Sequence, residues 1–187
     1  MTQFSGRSVW ALYESSLRQA KANLAGLKVH SGVQPRFAGL NGWVLEQTIQ
    51  HCIRREMKAV GVELPINEQV GLGGRAKVDL VVGQVAIEIK AGGLFGLDDV
   101  RKYRQYRKLA EQGGYRYMFV TGAESHKPYR DGIIDALGPA SVVFLDEPGQ
   151  WERFVDAVLQ QGGAKGGSRG RSASSPPTVA GRGRPRR

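Results

Sequence analysis

The chain has 187 residues, 41% of them hydrophobic and 24% charged, a composition that fits one ordinary globular domain and excludes a fibrous or wholly disordered protein. Lys and Arg outnumber Asp and Glu by 27 to 17, and the resulting +10 makes a polyanion, nucleic acid or a membrane surface, the first partner to consider. No apolar run approaches the ~18 residues needed to cross a bilayer, no basic flank precedes a compact apolar stretch at the N-terminus, and Cys52 is alone, so the expectation is a cytoplasmic protein without a membrane partner, a disulfide framework or a multi-cysteine zinc site.

In chain order, residues 8–27 are predicted to be a helix. Trp10, Leu17 and Leu24 with Tyr13, Ala20 and Leu27 fall on a seven-residue repeat, which suits either packing on the chain's own core or a homodimer seam. Together with the linker ending near Pro35, this gives an N-terminal segment over residues 1–40. Asn41 is expected to cap a second helix that runs to Val60 and stops at Gly61, and Pro65 opens an extended region. Three strands follow, at 66–72, 75–82 and 85–90. Gly73-Gly74 punctuates the first connection, and Gly83-Gln84 forms the second as a type II′ turn with glycine first. A basic helix at 98–112 ends at Gly113-Gly114, and a strand at 115–121, a helix at 131–137, a strand at 141–145 and a helix at 150–160 complete the pattern. A hairpin followed by alternating helices and strands predicts a mixed α/β central sheet flanked by helices on both faces, over residues 41–160. From Gln161 to Arg187 the composition turns to Gly, Ser, Pro and Arg with no acid, which reads as a disordered basic tail. Its seven charges, taken from the net +10, leave +3 on residues 1–160, so the fold itself is mildly basic.

A two-residue turn at 83–84 makes opposed residues sum to 167, so Leu80 faces Ile87, Asp79 faces Glu88 and Lys77 faces Lys90. Alternation then puts Val78, Leu80, Val82, Val85, Ile87 and Ile89 on one apolar face and Lys77, Asp79, Glu88 and Lys90 on the other. Like charges directly opposed in a sheet destabilise it, so something must compensate. A divalent cation is one answer, since magnesium takes one or two carboxylates with waters and phosphates. Lys77 and Lys90 are the other.

Lys77-Val78-Asp79 followed across a hairpin by Glu88-Ile89-Lys90 resembles the PD-(D/E)XK, or restriction endonuclease-like, nuclease superfamily. The resemblance covers roughly residues 41–145, with Val78 in place of the nominal proline. It implies that Asp79, Glu88 and the Ile89 carbonyl hold a metal, Mg2+ with Mn2+ able to substitute, and that Lys90 positions or activates the attacking water. It further implies hydrolysis of DNA by an endonuclease of the restriction or recombination and repair type, junction-resolving if the first helix builds a dimer. An RNA-directed nuclease and a non-catalytic nucleic-acid-binding protein of the same fold are the alternatives. The family often adds a glutamate from the first core helix. On a wheel of 100° per residue, Glu46 and Glu56 both fall within the apolar arc of Leu45, Ile49, Cys52, Ile53 and Met57, ~15 Å apart along the axis, and Glu46 is chosen as the fourth metal ligand because it lies earlier.

Arg101, Arg104 and Lys108 of the basic helix recur on one stripe and could follow a phosphate backbone, with Lys77 as a further cation. Gln105 is expected near the site, as some family members use a glutamine from this helix. Gly71-Leu72-Gly73-Gly74 lacks the Lys and Ser/Thr of a phosphate loop and reads as a turn. His30, His51 and His126 show no metal-ligand spacing.

Overall fold

The reversal at residues 83–84 organises the sheet. Gly83 sits at φ 59° and Gln84 has no positive φ, which is the type II′ pattern. In the computed structural model, which describes residues 2–31, 39–92, 97–122 and 127–163, this turn joins strands β2 (Ala76–Val82) and β3 (Val85–Lys90). With β1 (Ile66–Gly73), β4 (Arg116–Thr121) and β5 (Val142–Phe144) they form a mixed sheet in the order β1-β2-β3-β4-β5. The first three strands are antiparallel, and β3, β4 and β5 run parallel, joined by helical crossovers.

Helices α1 (Gly6–Ser31), α2 (Leu40–Ala59) and α5 (Gln150–Gly163) cover one face, where Val9, Leu45, Ile49, Ile53, Trp151 and Phe154 meet Leu80, Ile87, Met118 and Val120. Helices α3 (Leu97–Gln112) and α4 (Lys127–Leu137) cover the other, where Tyr103, Ile133 and Leu137 meet Val81, Tyr117 and Phe119. The expected mixed α/β sheet with helices on both faces is therefore the architecture. A short 3-10 turn at Pro139–Ser141, not anticipated from the sequence, leads into β5.

Of the two uses open to the seven-residue repeat, Trp10, Tyr13, Leu17 and Ala20 take the first and pack against the chain's own core. The α2 N-cap is Gly39, at φ 81° and without a side-chain hydrogen bond, rather than Asn41. At the other end the helix stops as expected at Gly61: Val62 N–H reaches the Met57 carbonyl and Gly61 N–H the Lys58 carbonyl, a Schellman motif that requires the left-handed φ of 66° at Gly61. Helix α5 continues past Gln160 to Gly163, and the rest of the expected basic tail, with His126, lies outside the described residues. Cys52 is fully buried, and burial pushes its thiol up to about 12, so it acts as a small apolar side chain. Among the described residues no helix is long and apolar enough to cross a membrane.

Candidate active site

Strand β3 is paired unequally along its length. Its parallel ladder with β4 runs the full strand, from Val85↔Arg116 to Lys90↔Thr121. Its antiparallel ladder with β2 covers only Val82↔Val85, Val81↔Ala86 and Leu80↔Ile87. The predicted register therefore holds near the turn, but the ladder does not extend to Asp79 and Glu88 or to Lys77 and Lys90. The reason is visible at Asp79, whose Oδ2 accepts the Ile89 N–H at 2.7 Å. A side chain has taken the backbone bond that continued pairing would require, and the two strands part.

The irregularity extends to β1. Gln69, beside Asp79 in the β1–β2 pairing, stands at φ 51°, the one positive-φ residue other than glycine among those described, and donates from Nε2 to Asp79 Oδ1 at 3.2 Å. A left-handed glutamine is a local cost that surrounding contacts must hold in place. Across this position Val78 packs with Val81 and Ala86 on the α3 side rather than with Leu80 and Val82 as alternation predicts.

Where β2 leaves β3 a cleft of about 980 Å³ opens, lined by Glu46 of α2, Gln69, Asp79, Glu88, Ile89 and Lys90, and closed by the first turn of α2 and Lys21 of α1. It lies at the carboxyl end of β3, the place where open α/β sheets receive ligands. Glu88 is 5% exposed and its Oε2 has no hydrogen-bond partner; the hydroxyls of Tyr103 and Tyr117, on the face that Glu88 points to, are buried without partners as well. Burial, then the Asp79 charge and more weakly that of Glu46, push Glu88 up to about 8, against the pull of Lys102 and Lys90. Glu46 rises to about 7 through burial first and then through the charges of Asp79 and Glu68, with a hydrogen bond from Gln69 opposing. Burial also raises Asp79, opposed by its bonds from Ile89 and Gln69 and by Lys90 and Lys102. Three carboxylates thus share one crevice, each raised by burial, and Glu46 and Glu88 are both raised by the charge of Asp79.

Lys90 reaches the crevice with its ammonium 5.9 Å from the centre of the Tyr103 ring, and Lys102 lies 5.0 Å from the rings of both Tyr103 and Tyr106. The Lys90 carbonyl accepts Thr121 Oγ1–H at 3.1 Å and Gly122 N–H at 3.4 Å, which fixes the end of β3.

The structure separates the two helix glutamates. Glu46 lines the cleft, whereas Glu56, 2% exposed, accepts the backbone N–H groups of Gln3 and Phe4 and, at 3.4 Å, the Trp151 indole N–H, so it anchors the N-terminal segment. Arg101, Arg104, Gln105 and Lys108 are exposed on α3 and none lines the cleft; Lys77 is exposed on β2 and likewise stands apart. The α3 cation that acts on the carboxylates is Lys102, which the choice of a regular i, i+3, i+7 stripe passed over. Gln69, Lys21 and Trp43 also line the cleft, as does Asn41, which the sequence marked only as a helix cap. Gln69 follows Asn67 and Glu68 in a polar run and carries no signal of its own, since its approach to Asp79 depends on the β1–β2 register.

Among the described residues no group of three or more His, Cys, Asp or Glu side chains is arranged to hold a metal ion. No family model, curated protein or solved structure matches the chain.

Proposed function

We propose that the chain is a divalent-metal-dependent DNA phosphodiesterase, an endonuclease of the restriction endonuclease-like type, with its centre at Asp79, Glu88 and Lys90. The observation that carries this reading is Glu88 Oε2: a buried carboxyl oxygen without a partner, on a residue that lines a cleft with two further acids and a lysine. An unpaired buried anion is costly, and a cation removes that cost. The donor set fits Mg2+ or Mn2+, which take one or two carboxylates and leave other positions to water and phosphate, so Asp79 and Glu88 with the Ile89 carbonyl are sufficient protein ligands and Glu46 sits across the cleft. When bound, such an ion supplies neutralisation of phosphate charge and a lowered pKa for water.

The protein's own groups do the rest. Gln69 and the Ile89 N–H hold Asp79 in orientation. Lys90 presents a positive charge where negative charge develops on phosphorus oxygens, and Glu46, raised to about 7, can hold or release a proton near neutrality. Arg101, Arg104 and Lys108, exposed on α3, supply sequence-independent attraction for a phosphate backbone.

The test is cleavage of supercoiled plasmid, with matched RNA alongside, in Mg2+ or Mn2+ and in EDTA. Metal-dependent nicking lost in Glu88→Gln and Lys90→Ala supports the enzyme. Binding without cleavage of either nucleic acid, unchanged by those substitutions, assigns the fold to a non-catalytic binder, a reading favoured by the fact that Asp79 already has two hydrogen bonds within the protein. Cleavage of the RNA alone assigns it to an RNA nuclease.

A further inference from the structure

Among the described residues the large apolar side chains left exposed are Trp43, at 58%, and Val60. Trp43 stands in the first turn of α2, and it lines two depressions at once. On one side is the polar cleft with Glu46, Asp79, Glu88 and Lys90. On the other is an apolar groove of about 400 Å³ between α1 and α2, walled by Leu12, Ala20 and Val44, with Gln47 and His51 at its polar edge. The indole thus stands more than half exposed at the boundary between a charged cleft and an apolar groove, and Trp43 is not part of the core.

We propose that Trp43 is a stacking platform for an unpaired DNA base, so that the substrate carries a single-stranded end or branch whose backbone enters the carboxylate cleft while its base lies along the α1–α2 groove. The inference rests on the nuclease reading for the cleft, and it adds the form of DNA that fits. The two depressions match the two halves of a nucleotide. The phosphate side has Lys21, Lys90 and the start of α2, where Gly39, Asn41 and Gly42 line the cleft and the helix has no side-chain cap to satisfy its free N–H groups. The base side has a flat aromatic surface, an apolar wall, and amide and imidazole groups at the edge. In a duplex, bases are stacked and their faces hidden, so only an unpaired base can use an indole face.

A base–aromatic stack removed by truncation weakens single-strand binding by about tenfold. The full chain is titrated in EDTA, where no metal-dependent cleavage intervenes, against a fluorescein-labelled single strand, a duplex with an unpaired branch and a blunt duplex, followed by anisotropy. Trp43→Ala is expected to weaken the first two by about tenfold and the blunt duplex by less than about twofold, with Trp43→Phe close to the parent protein. Indole emission is expected to fall on adding single strand to the parent protein and to stay nearly constant in Trp43→Phe, whose remaining tryptophans are the half-buried Trp10 and the buried Trp151. Equal weakening on all three DNAs, or none, overturns the proposal. So does a loss of self-association in Trp43→Ala by sedimentation with DNA binding intact, because the groove would then seat a second copy. The same samples assayed in Mg2+ keep the two readings apart: Trp43-dependent binding without cleavage retains the platform and removes the nuclease, and cleavage of blunt duplex indifferent to Trp43 does the reverse.

Discussion

Ile89 gives its backbone N–H to the carboxylate of Asp79, at 2.7 Å, just beyond the point where the β2–β3 ladder ends. One hydrogen bond thereby both ends the ladder and orients an acid that lines the cleft, because the strand edge that β2 no longer covers becomes the floor of the cleft.

Asp79→Ala leaves that N–H and the Gln69 amide without their acceptor and is expected to cost about 1–3 kcal/mol in urea unfolding. Asp79→Asn keeps an acceptor oxygen and is expected to cost clearly less, while both variants lose metal-dependent cleavage. Hydrogen exchange at Ile89 reports the cause directly. Its amide should be protected in the parent protein and exposed in Asp79→Ala, and retained protection would mean that the strands had closed without the side chain.

Stability without metal should fall as pH rises. Glu88 and Glu46 ordinarily titrate near 4.5 and are raised in the fold to about 8 and about 7, chiefly by burial. The folded protein therefore keeps protons that the unfolded chain releases. The stabilisation is complete below about pH 4.5 and is lost as pH climbs through about 7 and 8. Glu88 carries most of the slope, since Glu46 is half-buried and screened by water. Melting temperatures in EDTA between pH 5 and 9 should decline, Glu88→Gln should flatten the decline, and Mg2+ or Mn2+ should restore stability increasingly above pH 7. A flat profile in EDTA would show that Glu88 is not desolvated.

The sheet and its helices were legible because turn chemistry and alternation act locally: Gly83-Gln84 set a register in which Leu80 meets Ile87, as found. What escaped was long-range or a departure from regularity. Alternation put Val78 with Leu80, but Val78 packs on the other face, beside the left-handed Gln69 and the Asp79 bond that regular alternation does not include. A helical wheel put Glu46 and Glu56 on the same arc, and only the docking of Gln3 and Phe4, more than fifty positions away in sequence, separates their roles. Asn41 looked like a cap by residue type, yet the left-handed Gly39 takes that place and leaves Asn41 to line the cleft.

That division of labour is testable. Glu56→Ala removes the acceptor for two backbone N–H groups and an indole, and is expected to destabilise the fold by about 3 kcal/mol, with the segment before α1 gaining protease sensitivity. Glu46→Gln removes a raised carboxylate and is expected to leave urea stability equal or higher while lowering cleavage at least tenfold. The opposite outcome, a Glu46→Gln with full activity and a folded, inactive Glu56→Ala, would move the third acid to Glu56.

The exposed cations of α3 should act on salt dependence rather than on chemistry. Each of Arg101→Ala, Arg104→Ala and Lys108→Ala is expected to reduce the slope of log K against log salt by about 0.9 if that side chain contacts a phosphate of duplex DNA. Arg101 is the weakest case, being paired with Asp98 at 3.3 Å. Lys102→Ala should behave differently: it withdraws a charge that favours ionised Asp79 and Glu88, so cleavage should fall even at low salt, where binding is saturated. Parallel behaviour of Lys102 and Arg104 would place both on the same outer surface.

Packing behind the cleft reaches the end of β3 through Gly122. A Cβ added there would lie 2.0 Å from the Trp10 ring, and the Gly122 N–H joins Thr121 Oγ1 in holding the Lys90 carbonyl. The ring packs 4.7 Å from Tyr13 and against the core beneath, so Gly122→Ala must displace either the Trp10 ring or the end of β4. Overpacking of this kind costs about 1–3 kcal/mol, and displacement of β4 would carry Lys90 with it, so activity should fall beyond what the loss of folded protein explains. Trp10→Ala alone opens a cavity and also destabilises, but combined with Gly122→Ala it removes the clash. The double variant should therefore be more stable than the sum of the two single losses predicts, by at least about 1 kcal/mol in a urea-denaturation cycle, and should recover the Lys90-dependent activity. Strict additivity would mean that α1 does not rest on Gly122.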